Sequence, residues 1–237
     1  MKRVLAILFF FTCSSSSCSK KELVTNMTPT PVVEKKYNYL ALGDSYTIGE
    51  SVPAADNFPS QVVNSLLNNA SPFLPARIIA KTGWTTDELE SGIVEANSAN
   101  PLLNSYDFVS LLIGVNNQYR GLPVDSYKIA FEELLKKAIH FAGDKADRVV
   151  VLSIPDWGVT PFASGRDRAQ IAREIDAYNA ANKQIAVLYN VYYLDITPWT
   201  REAVNDNTLL AGDGLHPSGK EYKRWAERIA GFFRSKL

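Results

Sequence analysis

The chain has 237 residues, of which 46% are hydrophobic and 21% are charged, close to the ordinary usage of globular proteins. This composition excludes a largely disordered chain, a collagen-like chain and a coiled coil. Lys and Arg together number 25, as do Asp and Glu, so the basic excess typical of nucleic-acid-binding proteins is missing and we expect no nucleic-acid partner. Two Cys and two His predict neither a disulfide scaffold nor a zinc site.

The N-terminal segment has the pattern of an export signal. Met1-Lys2-Arg3 precedes an apolar run from Val4 to Phe11, which is shorter than the roughly 20 residues of a transmembrane helix. Small residues and two cysteines follow. The segment resembles a bacterial lipoprotein signal, which implies that Cys18 is lipidated, with Cys13 as the alternative acceptor.

These observations divide the chain into three parts. We expect residues 1–17 to be a lipoprotein signal peptide, residues 18–36 to be a flexible tether, and residues 37–237 to fold as one domain. On this interpretation the protein is exported to the cell envelope and held at a bacterial membrane by a lipid anchor. The sequence does not indicate an oligomeric state.

Beyond residue 37, short apolar runs that predict strands alternate with segments of helical period. The predicted strands cover 39–43, 77–80, 108–113, 148–154 and 191–195; the predicted helices cover 57–69, 125–141, 166–189 and 217–234, with a further helix starting at the capping box Thr85-Thr86-Asp87-Glu88. The apolar helix faces are expected to include Leu67, Val94 and Ile129. Because the strands are nearly continuous in apolar residues, the pattern predicts an α/β fold whose parallel sheet is covered by helices on both faces.

Polar residues follow several predicted strands, at the sheet edge where ligands bind in such folds. The four blocks are Gly43-Asp44-Ser45-Tyr46-Thr47 after the first strand, Gly83-Trp84 after the second, Gly114-Val115-Asn116-Asn117 after the third, and Asp213-Gly214-Leu215-His216-Pro217 before the last helix. Taken singly, Ser45 and Asn116 are also suited to capping a helix.

Together, these residue types supply the parts of an acyl-transfer site. The Ser45 hydroxyl becomes a nucleophile once a base removes its proton, and His216 is the expected base, since Asp213 three residues earlier can orient its imidazole. The backbone N–H groups of Ser45 and Gly83 and the side-chain amide of Asn116 are candidate hydrogen-bond donors to the oxyanion.

The four blocks resemble those of the SGNH hydrolases of the GDSL esterase/lipase superfamily, over about residues 37–233. Tyr46 stands where that family usually has Leu, and Asn117 where it often has Asp. The resemblance implies a flavodoxin-like three-layer α/β/α sandwich, here with a five-stranded parallel sheet. It also implies a serine esterase that forms an acyl-enzyme on Ser45, with Asp213 and His216 completing the triad and with no metal or organic cofactor.

The substrate is open between lipid esters, as in lysophospholipase-like relatives, and acetylated glycans or small-molecule esters. No long apolar stretch resembles an acyl-chain lid, so short acyl groups are favoured. The alternatives are a carbohydrate O-acetyltransferase and a non-catalytic ligand-binding lipoprotein on the same scaffold. Trp84 and Trp157 either contact the substrate or pack at the rim of the site. Asp44 is expected to organise its loop, and His140, late in a helix, is not expected to be catalytic.

Overall fold

The computed structural model describes residues 35–67 and 71–237. The predicted signal peptide, almost all of the predicted tether, and both cysteines, Cys13 and Cys18, lie outside the described residues. Export and lipid anchoring therefore stay predictions. Within the described ranges, no helix combines the length and the apolar character needed to cross a membrane.

The centre of the fold is a sheet of five parallel strands, as predicted. The strands are β1 (Tyr39–Asp44), β2 (Arg77–Lys81), β3 (Phe108–Leu112), β4 (Val149–Leu152) and β5 (Tyr192–Leu194), in the spatial order β2-β1-β3-β4-β5. Gly43 lies opposite Ala80 of β2 on one side and Leu112 of β3 on the other. The carboxyl ends of these three strands are therefore level, and the loops that follow them meet at one edge of the sheet.

Helices cover both faces of the sheet, which makes the fold a three-layer α/β/α sandwich. They are α1 (Ser45–Ile48), α2 (Phe58–Leu67), α3 (Thr86–Ala99), α4 (Val115–Tyr119), α5 (Val124–Phe141), α6 (Arg168–Leu188), α7 (Thr197–Arg201) and α8 (Gly219–Arg234). Helix α2 packs against α8, whereas α5 packs against both α3 and α6. The longer helices match the predicted ones to within a few residues at each end.

Aromatic side chains join α8 to the sheet. The rings of Phe108 on β3 and Phe233 on α8 are stacked with their centroids 4.1 Å apart, and Tyr39 on β1 meets Phe233 edge-on at 5.1 Å. All three side chains are fully buried. Because burying an aromatic side chain is worth several kcal/mol in a protein core, about 3–5 kcal/mol on truncation to Ala, this contact fixes α8 and the loop before it relative to β1.

Three of the predicted apolar positions are wrong. Leu67, Val94 and Ile129 are 47%, 58% and 70% exposed. The buried face of α5 is instead set by its aromatic residues, Tyr127 and Phe131. Ile129 lies two residues from each of them, about 200° around a helix of 3.6 residues per turn, and so it faces solvent.

Candidate active site

The turn from β1 into α1 presents Ser45 at the carboxyl edge of the sheet. Asp44 is the N-cap of α1, and its Oδ1 accepts the Tyr46 N–H at 3.0 Å. Ser45 is therefore the first residue of the helix rather than its cap, so its hydroxyl is not needed to cap the helix. A Cβ on Gly43 would lie 2.1 Å from Thr47 Oγ1 and 2.4 Å from Leu112 O, so only glycine lets the strand pass this closely.

Ser45, His216 and Asp213 form one continuous line of hydrogen bonds. His216 Nε2 lies 2.9 Å from Ser45 Oγ, and His216 Nδ1 lies 2.6 Å from Asp213 Oδ2. The carboxylate favours the tautomer in which Nδ1 carries the proton, which leaves Nε2 as an acceptor for the serine hydroxyl. The imidazole is 6% exposed and the Tyr46 ring packs beside it with centroids 4.9 Å apart.

Asp213 and His216 are held by their own loop. Asp213 Oδ1 accepts the N–H groups of Leu215 and His216 at 3.0 Å each, and Ala211 N–H donates to His216 O at 2.7 Å. Burial alone would raise the pKa of Asp213, but its hydrogen bonds from His216, Leu215 and Ser51 outweigh burial and lower the pKa to about 2. The carboxylate is thus ionised at neutral pH and can stabilise an imidazolium.

The three candidate oxyanion donors line one cavity with the nucleophile. Ser45, Gly83 and Asn116 all face it, as does His216. Asn116 Nδ2 donates to Trp84 O at 3.0 Å, which fixes the amide with its nitrogen toward the β2–α3 loop. Gly83 has a φ of +84° and follows Thr82 in a turn closed by Trp84 N–H donating to Lys81 O at 3.2 Å. That is the position at which a type II turn requires glycine.

Aromatic residues form one wall of this cavity, which has a volume of about 140 Å³. Trp157 contacts Tyr119 and Phe162, with ring centroids 5.3 and 6.0 Å away. Trp157 is buried and its Nε1 donates to Gln118 Oε1 at 2.7 Å, whereas Tyr119 and Phe162 are 45% and 48% exposed. The wall therefore has a fixed base and an exposed rim.

The sequence profile of the GDSL-like lipase/acylhydrolase family matches residues 41–224. The chain belongs to this family. The match contains all four blocks that carry Ser45, Gly83, Asn116 and the Asp213–His216 pair. A comparison with curated proteins found no match.

Solved structures show the same fold at low sequence identity. The lipase/acylhydrolase from Enterococcus faecalis is 19% identical, with a TM-score of 0.64, over 85% of this chain and 97% of that one. The acetylxylan esterase from Geobacillus stearothermophilus is 20% identical, with a TM-score of 0.62, over 83% and 94%. The psychrotrophic esterase from Pseudoalteromonas sp., solved with monoethylphosphonate, is 15% identical, with a TM-score of 0.62, over 85% and 98%.

For Trp84, the sequence left substrate contact and packing at the rim open, and the residue does not line the cavity. Its indole lies over α3, where a Cβ built on Gly92 would come within 2.0 Å of the ring. Because Gly92 has no side chain, the Trp84 ring has room to pack against α3. The Trp84 carbonyl accepts a hydrogen bond from a candidate site residue, Asn116.

Two other titratable groups take the positions expected of them. Asp44 is 1% exposed, and burial raises its pKa to about 7 although the Tyr46 N–H favours the ionised form. Its Oδ2 also lies 3.5 Å from Asn116 Nδ2, so it organises the loop around the nucleophile. His140 lies at the end of α5 with Nδ1 3.2 Å from Asp144 Oδ1, exposed and outside the cavity lining.

Three residues of the site were not found from the sequence. Tyr119 lines the cavity, Ser51 donates to Asp213, and Arg120 donates to Gly83 O. None of these residues lies in one of the four sequence blocks from which the catalytic residues were predicted. In residues 35–67 and 71–237, no group of three or more His, Cys, Asp and Glu side chains is placed to hold a metal ion.

Proposed function

We propose that this protein is a serine esterase that hydrolyses uncharged esters with small acyl groups through an acyl-enzyme on Ser45. The observation that carries the proposal is the line of hydrogen bonds from Ser45 Oγ through His216 to Asp213, with contacts of 2.9 and 2.6 Å, opening on a cavity. Family membership supports the same class of reaction.

The first half of the reaction forms the acyl-enzyme. Ser45 Oγ attacks the ester carbonyl carbon while its proton passes to His216 Nε2, and the carbonyl π electrons move onto oxygen. The Ser45 and Gly83 N–H groups and the Asn116 amide donate to the resulting oxyanion. The tetrahedral intermediate collapses, the bond to the alcohol oxygen breaks, and His216 returns the proton to the departing alcohol.

The second half repeats these steps with water. His216 takes a proton from water as its oxygen attacks the acyl carbon, and the collapse of the second intermediate frees the carboxylic acid and the Ser45 hydroxyl. Asp213 stays ionised throughout and stabilises the transient imidazolium, consistent with its lowered pKa.

The lining and the volume of the cavity support the proposal that the acyl group is uncharged and small. Among the described residues that line it there is no Asp, Glu, Lys or Arg, so an ionic group on the substrate would be desolvated without a partner. Its volume of about 140 Å³ resembles that of the roughly 150 Å³ cavity that holds one benzene in another protein. One structural neighbour is an acetylxylan esterase, and an acetyl group fits this space.

Hydrolysis of p-nitrophenyl esters from acetate to octanoate by the purified full-length protein tests the proposal. We expect Ser45→Ala and His216→Ala to lose about 10⁴-fold or more in kcat. His140→Ala is the matched control, because it removes the other histidine of the chain from an exposed position. Ser45→Ala protein that is as active as the parent would exclude this mechanism.

Acyl transfer to an alcohol shares every step up to the acyl-enzyme, so product analysis separates it from hydrolysis. With an added alcohol or sugar acceptor, we expect the free acid to remain the main product. Accumulation of the acylated acceptor at the expense of the acid would reassign the protein as an O-acyltransferase. A folded protein that hydrolyses no ester and transfers no acyl group would favour a binding function.

We also propose that the protein acts at a bacterial cell envelope, with Cys18 carrying a lipid and the residues up to 36 spacing the folded part from the membrane. The support is the order of basic, apolar and small residues ahead of Cys18. A single lipid chain gives only marginal membrane binding, so stable anchoring takes a second lipid chain or a basic patch beside the first chain.

A further inference from the structure

The loop that carries Gly83 is held from one side by α4. Asn116 Nδ2 donates to Trp84 O at 3.0 Å. Asn117 Oδ1 accepts the Thr86 N–H at 3.1 Å, and Asn117 Nδ2 donates to Thr86 Oγ1 at 2.9 Å. Two successive residues of α4 thus bind the residues just after Gly83, so the position of this loop depends on side chains of a different element.

Arg120, the C-cap of α4, binds Gly83 itself. Its Nη2 donates to Gly83 O at 2.6 Å and to Glu88 Oε2 at 3.0 Å, while its Nη1 donates to Glu88 Oε1 at 3.2 Å. The guanidinium therefore makes a two-pronged contact with the carboxylate and a separate contact with the carbonyl. A planar group with several fixed donors can do this, whereas a single ammonium cannot match the same geometry.

Glu88 is in turn fixed by the start of α3. Its Oε2 accepts the Thr85 N–H at 2.8 Å as part of the capping box. The hydrogen bond from Thr85 and the contacts from Arg120 hold the pKa of Glu88 below its ordinary value, so the carboxylate is charged at neutral pH. A chain of contacts therefore leads from the helix N-terminus through Glu88 and Arg120 to the Gly83 carbonyl.

The Gly83 carbonyl matters because it neighbours the candidate oxyanion donor. Both groups flank the same Cα, and glycine at a φ of +84° has little steric resistance to rotation on either side. Thr82 is tied on its other side, through its hydroxyl, to the carboxylate of Glu50. The contacts of Thr82 and of the Gly83 carbonyl restrain the peptide group that contains the Gly83 N–H from both sides.

We infer that Arg120 is a positioning residue of the oxyanion hole: by holding the Gly83 carbonyl it aims the Gly83 N–H at the oxygen on which negative charge develops. This inference rests on the proposed function. It assigns Arg120 an effect on the transition state rather than on substrate affinity, since the side chain does not line the cavity.

The kinetic test compares Arg120→Ala and Arg120→Lys with the parent. We expect kcat to fall by about 10- to 100-fold in both, less than the 10²–10³-fold typical of losing an oxyanion donor outright, because the N–H remains but is misaimed. KM should stay within about twofold. Glu88→Gln, which weakens the support of the guanidinium, should give a smaller loss of kcat. The pH profile of kcat/KM should keep its shape in all three variants.

The control is Lys136→Ala, which removes two exposed ion pairs on α5, one with Glu132 and one with Glu133, outside the cavity lining. These groups are partly exposed and exposed ion pairs contribute little to stability, so all of these variants should remain folded at the assay temperature. Only the Arg120 and Glu88 variants should lose kcat. Parent-like kcat in Arg120→Ala, or a loss confined to KM, would overturn the inference.

A second readout needs no turnover. Hydrogen exchange of the amides in residues 82–86 should be several-fold faster in Arg120→Ala than in the parent and unchanged in Lys136→Ala. Exchange at these amides that is the same in Arg120→Ala and the parent would overturn the inference whichever ester the protein hydrolyses. Ester hydrolysis that is absent in the parent would instead contradict the proposed function.

Discussion

Ser51 Oγ donates a hydrogen bond of 2.8 Å to Asp213 Oδ2, the same oxygen that accepts from His216 Nδ1. Ser51 follows α1 by three residues and has a φ of +64°, a left-handed conformation that is unfavourable for a residue with a Cβ. The segment that supplies the nucleophile thus also reaches the acid, and it does so at a residue whose backbone is strained.

We predict that Ser51→Ala lowers kcat/KM by about 3- to 10-fold, because a hydrogen bond to a charged group contributes about 1.5–3 kcal/mol when buried and less in this exposed position. The pKa of Asp213 should rise from about 2 toward its ordinary value. A lowered pKa in the folded state adds stability above pH 4 that is lost as the pH falls toward 2, so the variant should lose part of that contribution. Steady-state kinetics at pH 7 and thermal unfolding between pH 2 and 7 measure both effects.

Ser51→Gly separates the hydrogen bond from the backbone strain. Glycine removes the same hydroxyl but adopts a positive φ readily, so this variant should lose as much activity as Ser51→Ala while unfolding at a higher temperature than Ser51→Ala. Full activity in Ser51→Gly would show that the hydroxyl does not support Asp213.

We predict that Asp44 makes the folded protein less stable as the pH rises from about 4 to about 7. Its pKa is raised to about 7 by burial, so between these values the folded state holds a proton that the unfolded chain has lost. Asp44→Asn should remove this dependence and unfold at a higher temperature than the parent at pH 8. Thermal unfolding from pH 4 to 8 measures the difference.

Asp206→Asn is the control of opposite sign. Hydrogen bonds from Thr208 and Lys220 lower the pKa of Asp206 to about 2, so this carboxylate stabilises the fold above pH 4 rather than below it. Its removal should lower the unfolding temperature at neutral pH or leave it unchanged. Parallel pH curves for the parent and Asp44→Asn would contradict the assignment for Asp44.

We predict that hydrolysis is fastest for acyl chains of two to four carbons and that Phe162→Ala shifts the optimum to longer chains. Removing this half-exposed ring from the rim enlarges the cavity, and the octanoate-to-acetate ratio of kcat/KM should rise at least about fivefold. Leu188→Ala, which truncates an exposed apolar side chain on α6, should leave the ratio unchanged. An unchanged ratio in Phe162→Ala would show that acyl chains do not reach this wall.

We predict that Cys18→Ser moves the protein from the membrane fraction to the soluble fraction, because the lipid acceptor is lost. Cys13→Ser is the matched control and should leave the protein in the membrane fraction. Fractionation followed by immunodetection measures both variants. A double variant without either cysteine that still sediments with membranes would rule out a lipid anchor on cysteine.

The strands and the catalytic blocks were predictable because their signals are local. Apolar runs bounded by Gly or Pro predict buried strands. Ser45 follows from its place at the end of a strand, and His216 from its place before the last helix, three residues after Asp213. Asn116 was predicted as a site residue because it also follows a predicted strand. Helices α1, α4 and α7 were not predicted because four or five residues show no helical period.

The missing parts of the site depend on side-chain direction and on contacts between distant residues. Trp84 sits in a predicted position, but the space above Gly92 decides where its ring points. Ser51 and Asp213 are separated by 162 positions, and Arg120 reaches Gly83 across 37. Such pairs come into contact only because the sheet places its loops at one edge, so no local sequence pattern predicts these contacts.

The loop that carries Asp213 and His216 closes on itself, through Ala211 N–H to His216 O and through the two backbone donors to Asp213 Oδ1. This loop therefore holds the acid Asp213 and the base His216 as one unit. Its side-chain hydrogen bonds to Ser45 and Ser51 both lead to one stretch of seven residues. Displacing this loop would lengthen the distance between Ser45 Oγ and His216 Nε2 while the hydrogen bond between His216 and Asp213 stayed intact, so the protein would lose activity without a change in any catalytic group.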